Sequence, residues 1–278
     1  MKVAILADIH GNLSALETVL EHLDSWHPDR VVVAGDIVNR GPRPRECLDI
    51  VKKRQKEAGW LLVRGNHEDY VLTHTDPNIQ RSVPEIEIAQ NCLWTYQQLN
   101  NQVSDLERMP FQVAFNEPEG QEVRVVHASM RGNREGIYPE TPETTLRQLV
   151  EPPPAVLCVG HTHRPLIRTI DNTLVVNVGA VGLPFDGDIR TTYAQLTWHK
   201  SYWHVRIIRL SYDRVRAERD YYTTGFIPEA GDLANIMLVE FHQARAHIHR
   251  WMWNYQDAVL AGNLSMSDSV QAYLSSLS

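Results

Sequence analysis

Lys2-Val3-Ala4-Ile5-Leu6-Ala7-Asp8-Ile9-His10-Gly11-Asn12 sets how the rest of the chain is read. Its apolar run spans only five residues, and no small-residue cleavage site follows, so it reads as a strand and not as a leader peptide. The strand stops at an acid, an imidazole and a glycine that lets the backbone bend sharply. Similar short runs rich in Val, Ile and Leu recur at Arg30 to Ala34, Trp60 to Val63, Val123 to Val126, Ala155 to Val159 and Leu174 to Val178. Between the first two lies Ala15 to Asp24, where Leu16, Val19, Leu20 and Leu23 form the apolar stripe of a helix and Asn12 and Ser14 are its capping candidates. A second helix is expected from Glu46 to Ala58, with Cys47, Ile50 and Val51 inward. Strands alternating with helices predict an α/β fold.

Working outward, the segment from Glu68 to Pro110 reads as a helical insertion, Val83 to Leu99 and then Val103 to Met109, placed where it could cover a site. After Val178 the texture changes, and Thr191 to Trp198 and Tyr202 to Ser211 read as antiparallel strands that imply a second sheet. From about Pro228 the chain turns helical over Leu233 to Leu260 and ends in a Ser-rich tail.

Composition narrows the function classes. The 278 residues, 43% hydrophobic, suffice for a sizeable core. No stretch approaches the roughly eighteen apolar residues of a spanning helix, which argues against a membrane protein. Cys47, Cys92 and Cys158 are far apart and odd in number, so neither a disulfide framework nor a structural zinc cluster is expected, and a reducing cytoplasm is the simplest compartment. A formal charge of -7 argues against nucleic acid as a partner, since phosphates must be neutralised by Lys and Arg.

The polar groups fall at the strand ends: Asp8 and His10, then Gly35-Asp36, then Gly65-Asn66-His67-Glu68, then His127, then Gly160-His161-Thr162-His163. Strand carboxyl ends line the ligand crevice of open α/β sheets, so these residues are expected to converge. Singly, each would read as a helix cap or a core histidine. Together they form a metal-ligand series. Asp8 and His10, two apart, can point toward one ion, and His161 and His163 share that spacing. The Asp36 carboxylate can bridge two cations, with Asn66 and His127 completing the second sphere. Mixed Asp, Asn and His donors suit Mn, Fe, Zn, Ni or Co better than Ca, and the number of donors favours two ions.

The ordered set D-x-H-G-N, G-D-x-V, G-N-H-E, H-A-S and G-H-T-H resembles the calcineurin-like metallophosphoesterase superfamily over about residues 1 to 212. Asn177-Val178-Gly179-Ala180-Val181-Gly182 and the segments after it are similar to its bacterial and archaeal phosphodiesterase branch. The resemblance implies a two-sheet αββα sandwich with helices on both outer faces. The phosphoesterase domain would span 1–224, with its insertion at 68–110, and a helical extension would span 225–278. It implies one metal on Asp8, His10, Asp36 and His163, and a second on Asp36, Asn66, His127 and His161, manganese being the first expectation. His67 matches the family's catalytic histidine. The implied reaction is in-line attack on a small-molecule phosphodiester or phosphomonoester by a metal-bound hydroxide.

Gly35 to Pro42 also resembles the serine/threonine and diadenosine-tetraphosphate phosphatase branch, in which the arginine matching Arg40 grips substrate phosphate. Protein phosphatases have an Asp orienting the catalytic histidine where this chain has Asn39. Nucleotide pyrophosphohydrolase and protein phosphatase are therefore the competing activities. A silent binding scaffold is the competing non-enzyme, although such relatives lose ligands and every position is filled here. Arg131, Arg134 and Tyr138, after the His127 strand, are further substrate contacts to test, with Arg131 and Asn66 placed beside Arg40 in the expected substrate site. The helices beyond Pro228 are a candidate homodimer arm.

Overall fold

The computed structural model describes residues 1–76 and 78–277. Among these, the strands are β1 (Lys2–Leu6), β2 (Arg30–Ala34), β3 (Leu61–Val63), β4 (Gln112–Asn116), β5 (Glu122–Val126), β6 (Val156–Val159), β7 (Leu166–Ile170), β8 (Thr173–Asn177), β9 (Thr191–His199) and β10 (Tyr202–Leu210). They form two mixed five-stranded sheets, in the orders β10-β9-β1-β2-β3 and β4-β5-β6-β8-β7.

Side chains alternate along each strand, and that period of two builds the layers. Val3 and Ile5 point between the sheets and pack with Val123, Val125, Val156, Cys158 and Val176. Ala4 and Leu6 point outward, onto Leu16, Val19, Cys47 and Val51 of the helices Leu13–Trp26 and Pro44–Ala58. On the far side, Leu157 and Val159 meet Leu146 and Leu149 of the helix Glu143–Leu149. The result is a sandwich of two sheets flanked by helices, held by side chains that each contribute about 1.5–3 kcal/mol on burial.

The antiparallel strands after Val178 do not start a second sheet. β9 pairs with β1, from Lys2 opposite Thr197 to Ile5 opposite Ala194, and so extends the first sheet. The second sheet begins at β4 and ends at β7, two strands the hydropathy pattern did not mark. Both are edge strands with solvent-facing residues, so neither shows the unbroken apolar run of a central strand.

The insertion is also more divided than expected, into Asn66–Leu72, Val83–Ile88, Gln90–Gln98 and Ser104–Glu107. The expected helix Leu233 to Leu260 breaks after Leu233–Gln243, where Ala244 turns left-handed (φ 50°), and resumes as Ile248–Trp251 and a π-helical turn, Met252–Gln256. The Ser-rich tail holds a helix, Met266–Ser275, whose cap Ser265 accepts from Asp268 N at 3.0 Å. The C-terminal helices share a core with the rest of the chain: Trp94 of the insertion, Leu183 and Phe185 after β8, and Tyr221 pack with Phe226, Met237, Phe241 and Trp251. No helix among the described residues is long and apolar enough to cross a membrane.

Candidate metal centre

Both sheets bring strand carboxyl ends to one rim. Asp8 and His10 follow β1, Asp36 follows β2, Asn66 follows β3, His127 follows β5, and His161 and His163 follow β6. Asp8, His10, Asp36, His161 and His163 all have left-handed backbones, with φ between 47° and 66°. Such a conformation costs a non-glycine residue on the order of 1–2 kcal/mol and clusters at functional sites. Neighbouring backbone holds it here: Asp8 N donates to Gly35 O at 3.1 Å, His10 N to Asp36 O at 3.0 Å, and Gly182 N to Asp8 O at 2.9 Å. The approach is close enough that a Cβ on Gly182 would lie 1.8 Å from the carbonyl oxygen of Ile9.

The hydrogen bonds on the outer side of each imidazole decide what it presents inward. His10 Nδ1 faces the Asn39 carbonyl at 3.1 Å, His127 Nδ1 that of Ala34 at 2.8 Å, and His163 Nδ1 that of Leu183. His161 Nε2 faces the Arg134 carbonyl at 3.1 Å. A carbonyl oxygen only accepts, so these nitrogens carry the protons, and in a neutral ring the other nitrogen keeps its lone pair. The inward nitrogens converge. His10 Nε2 lies 3.2 Å from His163 Nε2, and both His127 Nε2 and His161 Nδ1 lie within 2.9 Å of Asn66 Oδ1. Asp36 Oδ2 is 3.3 Å from His127 Nε2 and 3.7 Å from His10 Nε2. Asp8 Oδ1, 3.5 Å from His163 Nε2, is buried without a hydrogen-bond donor. Where acceptors face acceptors, as at His10–His163, His161–Asn66 and Asp8–His163, they repel one another unless cations stand between them.

The donors fall into two groups that could each hold a metal ion: Asp8, His10, Asp36 and His163, and Asp36, His127 and His161, within 4.8 Å of one another in each. Asn66 Oδ1 joins the second. His161 and His163, two apart in sequence, divide between the groups. Burial lowers the pKa of His10 to about 4 and of His161 to about 3, and holds His163 well below its ordinary value, so these rings are neutral at neutral pH. Burial also opposes protonation of His127, but Asp36 and Asp8 outweigh it and raise the ring to about 10, so a cation entering there displaces a proton. Glu68 fixes the bridging loop: its carboxylate accepts from Asp36 N at 2.8 Å, Ile37 N at 2.7 Å and Gly65 N at 2.8 Å.

Residues 1–201 match the model of the calcineurin-like phosphoesterase superfamily domain. The chain belongs to this superfamily. Among solved structures, a metallophosphoesterase from Sphaerobacter thermophilus superposes with a TM-score of 0.68 and 27% identity, covering 88% of this chain and all of that one. An uncharacterized protein of Methanocaldococcus jannaschii is 26% identical over 233 residues, 77% of this chain and 89% of its own. A symmetrical bis(5'-nucleosyl)-tetraphosphatase of Stutzerimonas stutzeri is 38% identical over 82 residues, 29% of each chain. As a calcineurin-like phosphoesterase, the protein is a phosphoester hydrolase of a metal-dependent family.

Around the cage of this phosphoesterase lies a cleft of about 510 Å³ that includes Asp36, Asn66, His67, His161 and His163. The Asn39 amide orients His67. Its Oδ1 accepts from Asn91 Nδ2 at 3.1 Å and Thr95 Oγ1 at 3.2 Å, so its Nδ2 donates to His67 Nδ1 at 2.9 Å. Burial keeps the His67 pKa well below the usual value. The ring is therefore neutral, with its proton on Nε2.

Arg40 is buried in the same cleft, 5.5 Å from the ring centroid of Phe185, which stacks on His163. Arg131 is not brought to the cleft: it is half-exposed and paired with Glu135 at 3.4 Å. Arg134 lines the cleft instead, 4.8 Å over the Tyr70 ring, as does Tyr138. Sequence reading did not place in a site several other wall residues, among them Arg81 and Ile88 from the insertion and Met237, Ile248, His249 and Trp251 from the C-terminal helices. It also passed over Glu240, which bonds Arg40. The available signal was a lone carboxylate inside the apolar run Ile236-Met237-Leu238-Val239-Glu240-Phe241.

Proposed function

We propose that this phosphoesterase hydrolyses a small-molecule phosphodiester or phosphomonoester at a pair of divalent transition-metal ions, manganese first among Mn, Fe, Zn, Ni and Co. One ion would be held by Asp8, His10, Asp36 and His163, the other by Asp36, Asn66, His127 and His161. The observation that carries this reading is the convergence of four imidazole nitrogens with carboxylate and amide oxygens around the shared Asp36. When bound, two such ions neutralise the phosphoryl oxygens and acidify a water enough to attack at neutral pH.

The chain's own groups do the rest. His67, neutral and protonated on Nε2, donates to the leaving or a non-bridging oxygen. Arg40 offers its remaining N–H groups to the phosphoryl oxygens. Tyr70, Phe185, Met237 and Trp251 supply apolar surface for the organic part of the substrate. A second reading, nucleotide pyrophosphohydrolase, draws on Asn39. By donating to His67 Nδ1 it disfavours the imidazolium, which suits a leaving group such as phosphate that departs without strong acid help. The tetraphosphatase relative is consistent with it.

The test is hydrolysis of bis-p-nitrophenyl phosphate and p-nitrophenyl phosphate by metal-stripped protein re-supplied with Mn, Ni, Co, Zn or Mg, with Asp36→Asn as control. Turnover that needs metal and that Asp36→Asn abolishes is expected, and the diester-to-monoester ratio assigns the substrate branch. Turnover that survives stripping or the substitution would overturn the reading.

A further inference from the structure

Resting on the phosphoester reading above, we infer that Glu240 is a positioning residue that aims the Arg40 guanidinium at the phosphoryl group beside the cage. The C-terminal helices are thereby part of the active site.

Both Glu240 oxygens are engaged. Oε2 accepts from Arg40 Nη2, and Oε1 accepts from His247 N and Ile248 N, each at 2.8 Å. The Glu240 side chain is fully buried and that of Arg40 is 8% exposed. The carboxylate is thus fixed by the backbone that restarts after Ala244, and it fixes the arginine in turn. Arg40 stands next to Asn39, the partner of His67, and both have left-handed backbones, with φ of 63° and 69°. Its guanidinium lies over Phe185, which stacks on His163 at 4.3 Å between centroids. Arg40 Nε is buried and meets no acceptor in the protein. A buried donor without an acceptor is costly, and an anion in the cleft is the natural partner for it. An arginine also has several freely turning bonds, so holding it beforehand removes ordering from the binding step.

A buried ion pair of this kind could equally serve only to attach the C-terminal helices, and the two roles separate in a double-mutant cycle read by phosphate binding. Calorimetry with inorganic phosphate is run on the full-length, manganese-loaded chain. Glu240→Gln is expected to weaken phosphate binding about tenfold, the worth of one charge-assisted hydrogen bond, with manganese per chain unchanged. In an Arg40→Met background the same change should weaken it less than about twofold, since the group it acts through is gone. Thermal stability should move differently: Glu240→Gln lowers it in the wild type and raises it beside Arg40→Met, where the carboxylate would be buried alone. Arg40→Lys keeps the ion pair but not the fork, and is expected to lose the same tenfold.

Binding by Glu240→Gln within twofold of wild type, or an equal loss in both backgrounds, overturns the inference. So does a wild type that does not bind phosphate. If Glu240→Gln fails to fold, unchanged binding by Arg40→Lys overturns it. A protein that shows the expected binding pattern but hydrolyses no ester would refute the proposed activity and leave the positioning role standing.

Discussion

At the scale of single residues, the proposed acid–base chemistry rests on Asn39 and His67. The amide of Asn39 donates to His67 Nδ1, so the imidazole faces the cleft as a neutral donor. His67→Ala is expected to lower kcat by about 10²–10⁴, the usual range for a lost proton donor, with metal content unchanged because the ring belongs to neither donor group. Loss of metal together with rate would make His67 a ligand. Asn39→Asp reverses the polarity of the contact, since a carboxylate accepts from Nδ1–H and favours the imidazolium. Activity should then rise on alkyl phosphates relative to p-nitrophenyl phosphate, and an unchanged ratio would show that leaving-group protonation does not depend on this residue. The convergence of the candidate metal donors was legible in the sequence because each follows a strand that reads as apolar, within a few residues of its end. Which of Arg131, Arg134 and Tyr138 lines the cleft was not legible because their loop is irregular, and no periodicity indicates which way an individual side chain turns there.

At the scale of elements, the rim depends on backbone segments that touch. Gly182 follows β8 and lies against the residue between Asp8 and His10, with no space for a methyl group. Gly182→Ala must push the two loops apart, and is expected to weaken metal binding at least tenfold and to destabilise the fold by about 1–3 kcal/mol, as other overpacked sites do. Metal titration and urea unfolding would measure both, and wild-type values in each would mean that the loops separate without disturbing Asp8 or His10. The central strands and the first two helices were readable from their apolar periodicity. The edge strands β4 and β7 were not, because half their surface faces solvent. The break at Ala244 carries neither Gly nor Pro. It is stabilised by Glu240 accepting from His247 and Ile248, a contact that exists only once the chain has folded back. The helix Met266–Ser275 was within reach, since Ser265 precedes an apolar stripe at Met266, Val270 and Tyr273.

For the whole molecule, burying the cage makes stability depend on pH. His10, His67, His161 and His163 are held below their unfolded pKa of about 6.5, mainly by burial. As pH falls from 6.5 toward 4, the unfolded chain takes up protons that these rings refuse in the folded state, and stability is lost. His127, raised to about 10, acts in the alkaline range: its contribution is complete below 6.5 and disappears as pH rises through 10. Glu68, raised to about 7 by burial and then by Asp36, and Asp8, raised by burial, work in the opposite direction by taking up protons in the folded state. The histidines held down outnumber the carboxyls held up, so the metal-stripped protein should lose stability as pH falls from 6 to 5. Its urea midpoint should be lower at pH 5 than at pH 7.5, and a midpoint that holds or rises would show that the rings are not buried in the neutral form.

The order of the donors along the chain also has a consequence during synthesis. The Asp36, His127 and His161 group is complete in a nascent chain only once residue 161 has left the ribosome, and the Asp8, His10, Asp36 and His163 group only at residue 163. Arg40 waits longer, for Glu240, some two hundred residues behind it. At translation rates of roughly 5–20 residues per second, the interval between residue 163 and Glu240 lasts several seconds. Products of interrupted translation that stop before His161 therefore carry the strands β1 to β6 but neither complete candidate donor group.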